Sequence, residues 1–365
     1  MTIGASPVAA AVTVVVGVLV AVVLMLASWL ALRCRGRFHL SSATPAAPVS
    51  AAFAPAIDLA RVRMAGDLAT QRLWRLAFGA PAQPQPVEGM HARVREFICA
   101  VLQVDSVDTK YFPRRPALLP QLLQAVNDPN AASDKLSRMI AHDPVLTADV
   151  LRLANSNLYR ISSAPIETIK RAIVVCGLES LRGILAAAML QPVFRASRTN
   201  FPRLPRMLWE RTERAARAAE LYAAHTHPQD RFEAQLLVLL SALGPLVVYG
   251  AALDGYSRAP RLTPNPALFV ELIDTLAPQM SQRIARDWQA SPRLVAALEK
   301  SNESLSTALQ VGELLGTLSL LESQTVISQD ERTVILDEAG LTGDLMDGIW
   351  RRLAGGAHNE ARSPV

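Results

Sequence analysis

Residues 8 to 32, VAAAVTVVVGVLVAVVLMLASWLAL, run for 25 positions without a charged side chain. At about 1.5 Å of rise per residue such a segment exceeds a hydrocarbon core of about 30 Å. Inside lipid a lone segment must satisfy its own backbone hydrogen bonds, which leaves a helix as its one solution. A single membrane-spanning helix is therefore predicted at 8–32. Trp29 stands near one end, Arg33, Arg35 and Arg37 follow at once, and residues 1–7 carry no charged side chain. That asymmetry puts everything after the helix on the cytoplasmic side. A cleaved secretory signal would place its basic residues ahead of a shorter apolar core, the reverse of this order.

Beyond the span, Ser41 to Pro55 (SSATPAAPVSAAFAP) is small and Pro-rich, the composition of a tether. Ile57 to Phe78 has apolar residues at helical spacing, and Gly79-Ala-Pro-Ala-Gln-Pro-Gln-Pro86 then breaks the pattern. After Met90 the chain reads as helix after helix. Asp143-Pro144 and Ser291-Pro292 each set an N-cap residue before a proline at the first helical position, and Ser328-Gln-Asp-Glu331 matches a capping box. No alternating apolar and polar run bounded by hairpin turns predicts a strand. The expected fold class is all-α.

Net charge weighs little here. The formal charge is +5, but 33 of the 37 basic residues are arginine and four are lysine, the signature of biased codon usage. Cys34, Cys99 and Cys176 are far apart and form no C-x-x-C pair, so neither a disulfide framework nor a zinc ribbon is predicted.

Four blocks between about Phe112 and Glu299 resemble the HD-related output domain, HDOD, a regulatory offshoot of the HD-type metal-dependent phosphohydrolases of bacterial signalling. They are Leu118 to Pro129 (LLPQLLQAVNDP), Ile140 to Ser156 (IAHDPVLTADVLRLANS), Ile166 to Leu181 (IETIKRAIVVCGLESL), and a looser set: Leu208-Trp209, Leu239 to Gly244 (LLSALG), and Ser281 to Trp288 (SQRIARDW). The second block is the most specific. The resemblance implies a bacterial inner-membrane protein with a multi-helix, degenerate HD-type domain in the cytoplasm. The expected organisation is an external N-terminus at 1–7, the membrane helix at 8–32, an Ala/Pro-rich linker at 33–56, a helical linker region at 57–110, the HDOD-like domain at 111–303, additional helices at 304–354 and a disordered tail at 355–365.

Catalytic relatives hold one or two metal ions with histidines and an adjacent His-Asp pair, and the metal activates water against a phosphate ester. Aligned on the resemblance, that pair falls at Ser241 and Ala242, and the first histidine falls near Arg211 and Thr212. A guanidinium repels a cation, so the chain is expected to be no enzyme and to carry no metal and no cofactor. The literal His142-Asp143 pair reads as a helix end followed by an N-cap. His225 and His227, two residues apart, do not face one another on a helix.

From Arg195 to Arg217 stand seven arginines against Glu210 and Glu213. Glu210 with Arg214 and Glu213 with Arg217 are expected as i, i+4 pairs on a helix starting near Pro205. Arg195, Arg198, Arg203 and Arg206 are expected in a Pro-broken loop, where they, with Arg211 and Arg214, would meet an anion, lipid headgroup or nucleotide phosphate. No aromatic residues interleave with them, which disfavours nucleic acid. The expected partners are the membrane through its single-pass anchor and another protein or a second copy, with a nucleotide such as a cyclic dinucleotide as the alternative ligand. A residual phosphohydrolase ranks last.

Overall fold

The computed structural model describes residues 57–79, 89–103, 111–113, 115–121, 136–138, 140–160, 164–194, 201, 203–299 and 303–354. The predicted membrane helix at 8–32, the linker at 33–56, Cys34, Arg195, Arg198 and the tail from 355 lie outside these residues. Among the described residues the regular structure is helical throughout. The helices are α1 (Leu59–Phe78), α2 (Met90–Gln103), α3 (Pro144–Ala154), α4 (Ile169–Cys176), α5 (Leu178–Leu190), α6 (Arg203–Thr226), α7 (Arg231–Ser241), α8 (Leu243–Ser257), α9 (Pro266–Asp287), α10 (Pro292–Leu298), α11 (Glu303–Ser323), α12 (Gln329–Glu338) and α13 (Asp344–Ala354).

The start signals act as the sequence predicts. Asp143 Oδ1 accepts from the N–H groups of Val145 at 2.9 Å and Leu146 at 3.0 Å, with Pro144 opening α3. Ser291 Oγ accepts from the Leu294 N–H, and Ser328 Oγ from the Glu331 N–H. Gly177 joins α4 to α5 at φ +81°, a conformation that any Cβ would strain. Asn155 ends α3 and stitches the following loop. Its amide donates to the carbonyls of Leu151 and Ile166, and its Oδ1 accepts the Ile166 N–H at 2.7 Å.

The spine of the domain is α6 against α11. Gly312 and Gly316, one turn apart on α11, face Ala215 and Ala219, one turn apart on α6. A Cβ at Gly312 would sit 2.7 Å from the Ala215 carbonyl oxygen, and one at Gly316 2.5 Å from the Ala215 Cα. The two backbones therefore approach as closely as glycine alone permits. Around this spine pack α7 and α1, while α2 lies on α8 and α9 and α13 on α6.

Both segments expected to flank the domain share its core. α1 buries Val62, Ala65, Ala69, Leu73 and Ala77, α2 buries Val94, Ile98 and Leu102, and α11 buries Leu305, Val311, Leu314, Leu315, Leu318 and Leu321. The described part of 57–110 thus belongs to the same compact unit as the rest, which runs from Ile57 onward. Burying these faces replaces the partner surface that a stripe of leucines would otherwise present.

Among the described residues one stretch, Pro228–Ser257, is long and apolar enough to cross a membrane; 72% of its apolar window is buried inside the domain. It is broken into α7 and α8 at Ala242. Core packing accounts for its apolarity.

Candidate functional site

The arginine run divides three ways, and the predicted Pro-broken loop is corrected at Arg203 and Arg206. Arg203 already opens α6 and Arg206 lies in its first turn, because Pro205 falls where an amide N–H has no helical partner to lose. Glu210 pairs with Arg206 at 2.7 Å, while Arg214 donates to the Glu210 carbonyl oxygen at 3.2 Å and reaches Ser323. The expected pairing of Glu210 with Arg214 gives way to these contacts, and Arg217, expected to pair with Glu213, pairs with Glu220 at 2.5 Å. Arg206 and Arg203 are exposed, Arg211 is turned inward and Arg217 is buried.

Arg211 and Ser241 meet over a residue that local sequence gave no reason to single out. Arg211 Nε donates to Thr317 Oγ1 at 2.8 Å, and its Nη2 lies 3.8 Å from Glu313 Oε1. The Ser241 hydroxyl lies 3.0 Å from the same Glu313 oxygen and 2.9 Å from the Val238 carbonyl, and its single proton serves one of the two at a time. Thr317 in turn donates to the Glu313 carbonyl at 2.6 Å. The adjoining Ala242 is buried, and the turn it occupies is pinned by Ser281, which donates to the Ser241 carbonyl at 2.8 Å and accepts from the Gly244 N–H at 3.2 Å. The guanidinium therefore stands beside the positions where the resemblance places the metal ligands, with a carboxylate against it.

A cavity of about 560 Å³ opens beside this cluster, and α1 forms one wall with Asp67, Thr70, Gln71 and Trp74. Arg211 is the cationic side chain among its lining residues, facing the carboxylates Asp67, Asp274 and Glu313. Burial pushes the Asp274 carboxyl above the usual carboxylate range, and the charge of Asp67 pushes it further. Excess negative charge disfavours a phosphate-bearing ligand here. Glu313, Thr317, Asp67 and Asp274 were missed by sequence reasoning because they come from three helices far apart in the chain; no local pattern joins them.

A second polar cluster lies in the core. Glu220, fully buried, accepts from Ser180 Oγ at 2.7 Å, from Arg217 at 2.5 Å and from Arg231 at 2.7 Å. Burial pushes the Glu220 carboxyl upward, but the attraction of Arg217, the hydrogen bonds from Ser180 and Arg217 and the charge of Arg231 outweigh it and hold it below the usual range. The Arg217 guanidinium also stacks over Tyr159, 5.0 Å from the ring centroid, and the Tyr159 hydroxyl accepts from Gln235 Nε2 at 2.6 Å. This cluster ties the loop after α3 to α5, α6 and α7. Two of the histidines have local partners: His142 Nδ1 lies 2.6 Å from the Arg138 carbonyl and His225 Nδ1 2.8 Å from that of Leu221. Among the described residues no three His, Cys, Asp or Glu side chains are grouped so as to hold a metal ion.

The all-helical bundle is the fold class that the HDOD resemblance implies. The HDOD domain model matches residues 112–304, more than half of the chain, and the chain belongs to the HDOD family. The fold is also that of a crystal structure from Shewanella amazonensis, named provisionally as a metal-dependent phosphohydrolase, at 16% identity and TM-score 0.51 over 73% of this chain and 99% of that one. An HDOD domain protein of unknown function from Geobacter sulfurreducens is 22% identical at TM-score 0.46, over 73% of this chain and 88% of that one. The MmoQ response regulator of Methylococcus capsulatus is 18% identical at TM-score 0.32, over 66% of this chain and 98% of that one. No curated protein matches the chain.

Proposed function

We propose that this HDOD protein is a non-catalytic signalling scaffold, anchored in the bacterial inner membrane by residues 8–32 and acting on a protein partner, or on a second copy, at the cytoplasmic face. The observation that carries the reading is the Arg211–Glu313–Ser241 cluster. A metal-dependent hydrolase needs imidazole and carboxylate ligands around a cation; this chain has a guanidinium there, tied to Glu313 and Thr317. The exposed Val145 and Val174, in two of the blocks that carry the family resemblance, supply apolar area for recognition.

The test is hydrolysis by the purified full chain of phosphomonoesters, phosphodiesters and cyclic dinucleotides, with and without added manganese, magnesium or nickel. Turnover is expected to stay at background. Metal-dependent turnover abolished by Glu313→Ala would overturn the reading. A nucleotide sensor is the second reading, favoured by a cavity whose volume suits a small ligand and opposed by its three carboxylates. A saturable thermal shift with a cyclic dinucleotide, lost in Arg211→Ala, would establish it; no shift leaves the scaffold reading ahead.

A further inference from the structure

We propose that the outward face of α1 seats on an anionic lipid surface. α1 turns Val62, Ala65, Ala69, Leu73 and Ala77 into the core, which accounts for one side of the helix. On the other side Met64 and Leu68, one turn apart, are 68% and 52% exposed. Arg61 precedes them and Arg75 follows them on the same exposed stripe, at positions 61, 64, 68 and 75. Two apolar side chains flanked by guanidinium groups on long aliphatic stems suit the boundary between acyl chains and headgroups.

Charge and chain length point to lipid as the occupant. Arg72 is taken up by Glu331 of α12 and Arg63 donates to Gln310 of α11, which leaves Arg61 and Arg75 as the basic side chains of the exposed stripe, with Asp58 beside Arg61. The Arg61–Asp58 pair, at 3.4 Å and more than half exposed on both sides, is too weakly held to keep Arg61 from a phosphate. Each arginine brought close to an anionic bilayer strengthens the contact about fivefold. Only residues 33–58 separate α1 from the apolar segment ending at Leu32. A chain of that length spans at most about 90 Å, which holds the face of α1 near the bilayer at high effective concentration. The inference rests on the membrane-anchor reading above.

The experiment places the photo-crosslinking residue benzoylphenylalanine at Leu68, at Leu24 within the apolar segment, and at Val174 on α4 as an exposed control. The full chain is reconstituted in vesicles of phosphatidylethanolamine with phosphatidylglycerol, and in vesicles of phosphatidylcholine. The expected result is lipid adducts at positions 24 and 68 and none at 174, with the yield at 68 falling severalfold in phosphatidylcholine or after Arg61→Ala with Arg75→Ala. Lipid adducts at 24 with none at 68 would overturn the inference while leaving the anchor standing. No adduct at either position would remove the anchor reading and this inference with it. A protein adduct at 68, to a second copy or another chain, would make the face a protein interface, and an unchanged yield in phosphatidylcholine would remove the role of charge.

Discussion

Replacing Glu220 by glutamine should cost this domain several kcal/mol, because it withdraws the charge that lets Arg217 be buried. Glu220 is fully buried and the Arg217 side chain is 7% exposed, whereas Arg231 keeps 31% of its side-chain surface. After Glu220→Gln, Arg231 can turn to water but Arg217 cannot, and stranding one buried charge typically costs about 3–5 kcal/mol. For a unit of this size that corresponds to a fall in Tm of roughly 6–15 °C. Urea unfolding of the chain from Ile57, followed by helical ellipticity, measures it directly. Removing both charges with Arg217→Met in the glutamine background should cost less than the sum of the single changes. The pH dependence has a definite sign. The folded-state carboxyl is held below its ordinary value, while the unfolded value is about 4.3; Glu220 therefore contributes stability above about pH 4.3 that is lost as the pH falls through the folded value. The native domain should destabilise more steeply than Glu220→Gln below that pH. A glutamine variant within about 1 kcal/mol of the native chain, with an unchanged acid limb, would refute the reasoning.

Gly316→Ala should destabilise by about 1–3 kcal/mol despite a gain in helix propensity, since the added Cβ meets the Ala215 backbone, which has no rotamer to move; Ala215→Gly should not rescue it, and the urea midpoint is the readout. Asp143→Ala should cost about 1 kcal/mol through loss of the N-cap of α3. Asn155→Ala should cost about 1–3 kcal/mol by leaving the Ile166 N–H and carbonyl short of partners, while the Leu151 carbonyl keeps the residue 155 N–H, and should raise hydrogen exchange at Ile166 selectively. Glu313→Ala should leave Arg211 facing the cavity with Thr317 as its partner and lower stability by about 1 kcal/mol, with no gain of metal binding by calorimetry.

The features legible in the sequence were the local ones. Asp143, Ser291 and Ser328 cap helices because a side-chain oxygen placed before a helix meets its free N–H groups whatever the tertiary context, and Gly177 separates two helices for an equally local reason. The HDOD resemblance was legible as well, and the family match lies at 112–304. The arginine run was read less well. Arg203 and Arg206 were placed in a Pro-broken loop beside a helix starting near Pro205, although a proline in the first turn costs nothing and the helix opens at Arg203, and charge pairs were assigned by spacing when burial decides them. Arg217 faces the core, so it turns to Glu220, one turn on along the same buried face. The sequence does hold a trace of this: Ala216, Ala223 and Ala224 flank Glu220 at helical spacing, an odd setting for a solvated carboxylate. Glu313, Asp67 and Asp274 left no such trace, because what brings them together is the docking of α1 and α11.

The closeness of α11 to α6 carries a consequence for where this domain can be cut. The family match ends at residue 304, just as α11 begins. Yet α11 supplies the glycines that lock onto Ala215 and Ala219, and the carboxylate that faces Arg211. A fragment trimmed to the family boundary would expose the small-residue seam of α6 to water and leave Arg211 without its counter-charge. In this chain the smallest piece able to stand as a unit extends past the sequence signature that identifies it.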